Sequence, residues 1–189
     1  QYYRKENTSV GHGVLTIEAK RESFGGRNYT SSRLTTQFKQ SFQYGRVDIR
    51  AALPYGKGIW PALWMLGNSI SSVGWPKCGE IDVMEMIGGS SGEFSDSKIH
   101  GTAHWAGQNG QRLFAGGFKE LDQGKFADEF HVFSIVWDAE KIRWYLDDVQ
   151  YYVMDITSDE VSELRDRFFF IFNVAVGGNW PGPPNANTT

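Results

Sequence analysis

Segments in which polar and apolar residues alternate at every second position recur along this chain of 189 residues. The sequence RVDIRA at residues 46–51 has this pattern, which is typical of a strand with one buried face. Two further strand-like runs, at residues 133–137 and 141–146, flank a short turn and predict a hairpin. Residues 168–176 are apolar except for Asn173, which indicates a strand buried on both faces. Together with 15% aromatic residues and 22 glycines, these patterns predict an all-β fold.

The sequence also predicts one short helix and two surface loops. The sequence TSDE, which begins at Thr157, fits a capping box with Thr157 as the N-cap. Residues 88–97 and 106–117 are rich in glycine and polar residues and are predicted to be surface loops. No repeat, linker or change of composition divides the chain, so we expect a single domain over residues 1–189.

Charge, apolar content and cysteine content exclude several classes of protein. The net charge is −3 and the basic residues form no cluster, whereas binding to a phosphate backbone needs such a cluster. No apolar run approaches the ~20 residues that a membrane-spanning helix requires. Cys78 is the single cysteine, so the chain forms neither an intrachain disulfide nor a cysteine-based zinc site. We therefore expect neither a nucleic-acid partner nor a membrane association.

The chemically most informative segment is GEIDVMEMI at residues 79–87. Side chains on a strand alternate between its faces, so Glu80 and Asp82 would share one face and the apolar residues between them would face the core. Strict alternation would then bury Glu85, at a cost of several kcal/mol for an unpaired carboxylate. A β-bulge at residues 83–84, which adds one residue, would return Glu85 to the face of Glu80 and Asp82. The sequence therefore predicts three carboxylates on one face of a bulged strand.

Three clustered carboxylates suit acid–base chemistry on a sugar. Because like charges raise the pKa of at least one carboxyl, a protonated acid and an ionised carboxylate can coexist near neutral pH. Hydrolysis of a glycosidic bond with retention needs such a pair, with carboxyl groups ~5–5.5 Å apart. One carboxylate attacks the anomeric carbon, and the other group protonates the leaving oxygen and then activates water. The spacing alone leaves an acidic surface strand and a cation-binding site open as alternatives.

Several tryptophans near this segment are candidate platforms for sugar rings. Pyranose rings present apolar C–H faces that pack on flat aromatic side chains. Trp60, Trp75 and Trp180 lie among glycines and prolines and are the better candidates. Trp137 and Trp144 lie within hairpin patterns, and we expect them in the core.

His100 and His104 occur four residues apart in a strand-like segment. That spacing suits a pair of zinc ligands on a helix better than on a strand. We expect a histidine to form hydrogen bonds near the carboxylates, and His104 is the stronger candidate. A partly buried structural histidine is the alternative for both.

The acidic segment and its flanks resemble glycoside hydrolase family 16, in its laminarinase (endo-1,3-β-glucanase) branch. Beside EIDVME, the matching segments are YTSSRLTT (29–36), YGRV (44–47), LPYGKGIWPALWML (53–66), GWP (74–76), KIHGT (98–102), FHVF (130–133) and NVAVGGNW (173–180). Family members that act on mixed-linkage glucan typically have one residue between the aspartate and the second glutamate. The laminarinase pattern has two, as here, so the predicted bulge distinguishes the branches.

The resemblance implies a concanavalin-like β-jelly-roll sandwich of two antiparallel sheets with an open concave cleft for a polysaccharide. It implies Glu80 as the nucleophile, Asp82 as the residue that holds the pair in its charge state, and Glu85 as the acid/base. It also implies sugar contacts from Arg33, Trp60, Trp64, Trp75, His104, Asn173 and Trp180. Core packing is the alternative for Trp64. No cofactor is required and no metal ligand is predicted, while a structural calcium ion stays open with no residue assigned to it.

The expected function is endo-acting, retaining hydrolysis of β-1,3-glucosidic bonds in laminarin-type β-glucans. Two alternatives stay open. One is a family member that cuts another polysaccharide, such as mixed-linkage glucan or agar, and the other is a non-catalytic β-glucan-binding lectin, against which the three acids argue. Because laminarin is too large to enter a cell, we expect a secreted, extracellular protein.

The sequence departs from the family pattern at its two ends. Family members generally carry a strand before the equivalent of residues 1–3 and a final strand after the equivalent of Pro184, and we find neither in this sequence. Missing strands would leave unpaired sheet edges, which favour association with another chain. The prediction is therefore a single catalytic domain over residues 1–189, without the family's first and last strands, that can associate through its sheet edges.

Overall fold

The computed structural model describes residues 1–92, 94–186 and 188, and strands dominate it. In chain order the strands are β1 (Tyr2–Tyr3), β2 (Thr8–Gly11), β3 (Val14–Ile17), β4 (Thr30–Ser31), β5 (Arg33–Thr35), β6 (Gly45–Ala51), β7 (Ile59–Gly67), β8 (Glu80–Met86), β9 (Ser90–Ser91), β10 (Phe94–Ser95), β11 (Lys98–Ala106), β12 (Arg112–Glu120), β13 (His131–Trp137), β14 (Lys141–Leu146), β15 (Val149–Asp155) and β16 (Phe168–Val176). The helical segments are short: a 3₁₀ turn at Lys5–Asn7, α1 at Ile70–Val73 and a 3₁₀ helix at Asp159–Arg165. Among the described residues, no helix has the length and apolar character needed to span a bilayer.

Two antiparallel sheets pack against each other and enclose the main core. One sheet has six strands in the order β12-β11-β8-β7-β16-β5, and the other has four in the order β15-β14-β13-β6. Met65 and Ile81 from the first sheet meet Phe133 and Trp144 from the second in one fully buried cluster. Each such side chain stabilises the fold by about 1.5–3 kcal/mol through its burial. The prediction of an all-β sandwich of two antiparallel sheets is confirmed.

The strands predicted from the sequence patterns occupy the expected places. The hairpin of β13 and β14 pairs Ile135 with Trp144, and both Trp144 and Trp137 are fully buried, as predicted. The apolar strand β16 lies between β7 and β5, and side chains on both of its faces are buried, which is also as predicted. Alternation and apolar runs therefore correspond to the one-sided and two-sided burial of these strands.

The predicted capping box at Thr157 is wrong, because the Thr157 side chain forms a hydrogen bond with Asp155 instead of capping the helix. The Thr157 hydroxyl and backbone N–H both donate to Asp155 Oδ1, at 2.6 and 2.9 Å. Ser158 becomes the N-cap instead, and its side chain accepts from the backbone N–H of Glu160 at 3.2 Å. The segment that follows is a 3₁₀ helix, in which residues three apart lie on one face.

The prediction of a loop over residues 106–117 is also wrong in part. Strand β12 begins at Arg112, pairs with β11 along its full length and forms the outer edge of the six-stranded sheet. Its glycines serve close packing and not a turn, because a Cβ at Gly117 would lie 2.8 Å from the ring of Tyr152. Within residues 88–97, the short strands β9 and β10 form a two-stranded pairing.

The predicted β-bulge is present at Val83 and Met84 in the centre of the six-stranded sheet. Asp82 pairs with Thr102 of β11 and Glu85 pairs with His100, so three steps on β8 match two steps on β11. Pairing with β7 has the same irregularity. Both Val83 and Met84 are buried in the core. The strand therefore places two consecutive apolar residues inside and turns Glu85 outward.

Trp144 supports the bulge from the opposite sheet. Its indole N–H donates to the backbone carbonyl of Asp82 at 2.8 Å in a buried hydrogen bond. Trp137 is equally buried, but its indole N–H has no hydrogen-bond partner among the described residues. The two tryptophans thus differ in hydrogen bonding while sharing the same burial.

We expect Trp144→Phe to lower the free energy of unfolding by about 0.5–1.5 kcal/mol more than Trp137→Phe, because only the first removes a buried hydrogen bond. Urea denaturation of the two variants and the wild type measures the difference. Equal losses in the two variants would contradict this role of Trp144.

Candidate functional site

An open cleft crosses the outer face of the six-stranded sheet, with the carboxylates at its centre. One arm of about 790 Å³ lies over β11 and β12, and the other, of about 380 Å³, lies over β7, β16 and β5. Both arms are lined by Trp60, Glu80 and Glu85. A long chain molecule can therefore lie across the strands with both glutamates near its middle.

Two tryptophan side chains position the two glutamates. The indole N–H of Trp75 donates to Glu80 Oε2 at 2.9 Å, and the indole N–H of Trp60 donates to Glu85 Oε1 at 2.9 Å. Glu85 lines the cleft, as the bulge requires, instead of entering the core. Each indole thus holds a carboxylate oxygen and also exposes ring surface beside it.

Asp82 lies between the two glutamates along β8, and His104 on β11 pairs with Glu80. His104 Nε2 is 3.0 Å from Asp82 Oδ2 and 3.7 Å from Glu80 Oε1. The Asp82 side chain is only 2% exposed. Burial lowers the pKa of His104, so the imidazole is neutral near neutral pH. His104 therefore lies next to the carboxylates, and its expected hydrogen bond to them stays a prediction.

Burial raises the pKa values of all three acids, and repulsion between carboxylates adds to it at Glu80 and Asp82. Burial is the main cause for Glu80, the charges of Asp82 and Glu85 add to it, and the pKa reaches about 8. Burial and the charge of Glu85 raise the pKa of Asp82, while the positive charge of Arg112 lowers it. Burial also raises the pKa of Glu85, against the hydrogen bond from Trp60. The cluster therefore retains protons near neutral pH and can supply both a general acid and a carboxylate.

A metal ion is the second chemistry that this cluster allows. Ligand atoms of Glu80, Asp82 and His104 lie within 4.8 Å of one another. Two carboxylates and an imidazole suit several divalent cations. However, Glu80 already accepts the Trp75 hydrogen bond, and Asp82 is nearly inaccessible, which favours the acid–base reading.

The other predicted tryptophans lie along the larger arm. Trp180 meets Trp60 edge to face, with ring centroids 5.7 Å apart and an angle of 87° between the planes. Trp75 is 47% exposed beside Glu80. All three rings line the larger arm, as expected for sugar platforms.

Arg33, Trp64 and Asn173 come together in the smaller arm. The Arg33 guanidinium lies 4.8 Å from the centroid of the Trp64 ring, and the Trp64 indole N–H donates to Asn173 Oδ1 at 2.8 Å. Trp64 also packs against a buried cluster that includes Leu66. One part of the ring therefore packs inward while another lines the cleft, and the sugar contact of Trp64 stays a prediction.

Residues of β12 line the cleft although the sequence analysis did not select them. Arg112, Phe114 and Phe118 form the outer wall of the larger arm, and His100 of β11 lies beside them. The sequence does contain an alternation that predicts a strand, with Arg112, Phe114, Gly116 and Phe118 at every second position. The two adjacent glycines, 116 and 117, indicate a turn instead, and the loop prediction followed them.

Several known proteins are similar to this chain in sequence or structure. The family model described as Glycosyl hydrolases family 16 matches residues 2–189. A β-glucanase from Rhodothermus marinus is 43% identical over 96% of this chain and 66% of that protein. The laminarinase catalytic domain from Thermotoga maritima MSB8 has a TM-score of 0.85 at 44% identity, covering 99% of this chain and 76% of that one. An endo-β-1,3-glucanase from Pyrococcus furiosus has a TM-score of 0.87 at 42% identity, covering 99% and 73%.

The chain spans only part of its relatives. It covers 66% of the length of the Rhodothermus marinus protein, and 26% and 29% of two other relatives. The similarity to the solved laminarinase structures confirms the jelly-roll architecture that the resemblance implied.

The raised pKa of Glu80 predicts a pH-dependent stability effect. The folded state binds this proton more tightly than the unfolded chain does, so folding loses stability as pH rises from about 4.5 toward about 8. Glu80→Gln removes this loss while its side-chain oxygen can still accept from Trp75. We expect the unfolding free energy of the variant, relative to wild type, to rise by about 1–3 kcal/mol between pH 5 and pH 8.

Denaturant titrations at both pH values measure this effect, and Glu129→Gln, at an exposed glutamate, is the matched control. If the unfolding free energy of Glu80→Gln relative to wild type is the same at both pH values, or is lower at pH 8, the result would contradict the raised pKa of Glu80.

Proposed function

The chain belongs to glycosyl hydrolases family 16, and we propose that it hydrolyses internal β-1,3-glucosidic bonds of laminarin-type glucans with retention of anomeric configuration. The observation that carries the proposal is the pair of indole-held carboxylates, Glu80 and Glu85, at the centre of a cleft with an arm on each side. A cleft that continues past the reacting pair in both directions favours attack within a chain. The names of the similar proteins supply the β-1,3-glucan substrate class.

In the first step, ionised Glu80 attacks the anomeric carbon while protonated Glu85 donates its proton to the glycosidic oxygen. The carbon–oxygen bond breaks, the shortened chain leaves with the proton, and a glycosyl ester forms on Glu80. In the second step, Glu85 takes a proton from water, and the water oxygen displaces Glu80 from the same carbon. Two inversions at one carbon retain its configuration.

The raised pKa values keep protons in the cluster but do not decide which glutamate holds one, because the pKa of Glu80 is itself raised to about 8 and that of Glu85 is raised as well. Burial of the cluster makes full ionisation costly, so Glu85 can hold the proton that it must donate. The Trp75 N–H stabilises the anionic form of Glu80. Asp82, buried next to neutral His104, also has a raised pKa, chiefly because of its burial. The order of the two glutamate roles follows the family resemblance, because each glutamate has one indole donor.

The sugar contacts follow from the two arms of the cleft. We assign stacking of glucosyl rings in the larger arm to Trp60, Trp75 and Trp180. In the smaller arm, Arg33 and Asn173 offer polar groups beside the Trp64 ring. His104 contacts the sugar at the centre.

A secreted, extracellular protein with one catalytic domain over residues 1–189 fits this activity, because the substrate polymer cannot enter a cell. Association through unpaired strands stays a prediction. Strands β6 and β12 lie at sheet edges in the described part of the chain, where backbone groups are available for pairing.

We expect Glu80→Ala and Glu85→Ala each to lower turnover of laminarin by several orders of magnitude while binding of oligosaccharides persists. Reducing-end assays measure turnover, and calorimetry measures binding. With an aryl β-glycoside, whose leaving group departs without protonation, azide should restore turnover in both variants with opposite product anomers: the α-glycosyl azide for Glu80→Ala and the β-glycosyl azide for Glu85→Ala. Near-normal turnover in either variant would remove that residue from the mechanism.

The same assay on laminarin, lichenan and agarose separates the proposal from its alternatives. Preference for lichenan or agarose would favour a different substrate within the family. Tight laminarin binding without hydrolysis would favour the lectin. Loss of activity on dialysis against EDTA, with recovery on adding a divalent cation, would favour the metal site instead of the acid pair.

A further inference from the structure

Three cross-strand rows lead from the acids to the outer edge of the sheet. Glu80 pairs with His104, which pairs with Phe114 of β12. In the parallel row, Glu85 pairs with His100, which pairs with Phe118. The row between them runs from Asp82 through Thr102 to Gly116. Two rows therefore end in a phenyl ring, and the middle row ends in a residue without a side chain.

The two phenyl rings are exposed to an unusual degree for large apolar side chains. Phe114 is 60% exposed and Phe118 is 59% exposed, and both line the larger arm of the cleft. They alternate with Ala115 and Gly117, whose positions face inward. Two exposed phenylalanines on the same face of one edge strand form an apolar patch that continues the cleft.

Contacts on both sides hold each ring in place. The Phe114 ring lies 5.9 Å from the His104 ring and 4.7 Å from the Arg112 guanidinium. The Phe118 ring lies 6.4 Å from the His100 ring and 4.9 Å from the Lys98 ammonium. These contacts fix the rings and leave more than half of each side chain accessible.

The two phenyl rings are the walls of a groove whose floor lies at Gly116. Four strand steps separate Phe114 from Phe118, which amounts to ~13 Å along β12. A Cβ at Gly116 would lie 2.5 Å from the Gly101 carbonyl oxygen, so the floor between the rings stays free of side chains. Two strand spacings separate β12 from the acids on β8, or ~10 Å. The groove thus lies beyond the sugar at the point of cleavage.

We infer that Phe114 and Phe118 form an additional binding subsite, which grips glucosyl units at the far end of the larger arm and sets the preference of the protein for long chains. This inference rests on the proposed function, since the occupant is the same β-1,3-glucan chain that the acids cut. The apolar faces of pyranose rings pack on the phenyl groups, while the bare floor at Gly116 lets the chain pass between them.

The test is the dependence of kcat/KM on substrate length, using β-1,3-linked gluco-oligosaccharides from the trisaccharide to the octasaccharide. We expect the double variant Phe114→Ala/Phe118→Ala to lose about 10-fold in kcat/KM on the longest oligomers, which corresponds to 1.4 kcal/mol. The loss should shrink as the oligomer shortens, because short chains bind without reaching β12. The variant Phe114→Tyr/Phe118→Tyr keeps both rings and should keep the length preference.

Leu113→Ala is the matched control, because Leu113 lies on the same strand and its side chain alternates to the opposite face. It should leave the whole length profile unchanged. Equal losses by the double alanine variant at all lengths, or no loss at any length, would overturn the inference. A changed oligomeric state of that variant with an unchanged length profile would also overturn it and would assign the patch to a protein contact.

Calorimetric binding of the same oligomers separates this inference from the proposed function. If the wild-type protein binds but does not hydrolyse, the proposed hydrolysis fails. The subsite then still stands if the double alanine variant loses affinity selectively for long oligomers. It falls if affinity is unchanged.

Discussion

One extra residue in β8 turns Glu85 to the same face as Glu80 and Asp82. Without the bulge at Val83 and Met84, regular alternation would direct Glu85 into a core that offers no partner for a carboxylate. The fold accommodates the extra residue by burying both Val83 and Met84 and by hydrogen-bonding the Asp82 carbonyl to Trp144. Both neighbouring strands shift register at the same place. The bulge is therefore built into the packing of the sandwich and is not a local irregularity of the surface.

The bulge could be predicted because the cost of burying Glu85 is large compared with the cost of adding one residue. Trp137 and Trp144 were predictable as core residues for a related reason, since their hairpin has a strong alternating pattern. The indole bonds to Glu80 and Glu85 were not predictable, because Trp75 lies on a loop whose path depends on the rest of the fold. Sequence placed these tryptophans near the site, and only the structure pairs each ring with a carboxylate.

The failures of prediction also have physical causes. Gly116 and Gly117 suggested a loop, since adjacent glycines usually indicate turns. In β12 they serve instead to let the Tyr152 ring and the neighbouring strand approach closely. Consequently Arg112, Phe114 and Phe118 were missed as cleft residues. At Thr157, the competing carboxylate of Asp155 decided the cap, and a capping-box motif does not include residues before the cap.

The site shows a conflict between stability and chemistry. Burial raises the pKa values of Glu80, Asp82 and Glu85, and their charged forms therefore destabilise the folded state near neutral pH. The same burial keeps protons in the cluster, and a glycosidic oxygen needs such a proton in order to leave. Hydrogen bonds from the indoles of Trp60 and Trp75 lower the pKa values of Glu85 and Glu80, and the charge of Arg112 lowers that of Asp82. These contacts reduce the rise in pKa that burial causes but do not cancel it. The surrounding aromatic walls then provide apolar contacts for a neutral sugar chain.

The role of Glu80 as the nucleophile is tested most directly by the mass of the peptide that contains β8 after incubation with a 2-deoxy-2-fluoro β-1,3-glucosyl fluoride oligomer. This reagent slows the second step and traps a glycosyl ester on the nucleophile. We expect a single label on Glu80 and loss of activity in proportion to labelling. A label on Glu85 or on a residue outside β8, or inactivation without any ester on this strand, would contradict it.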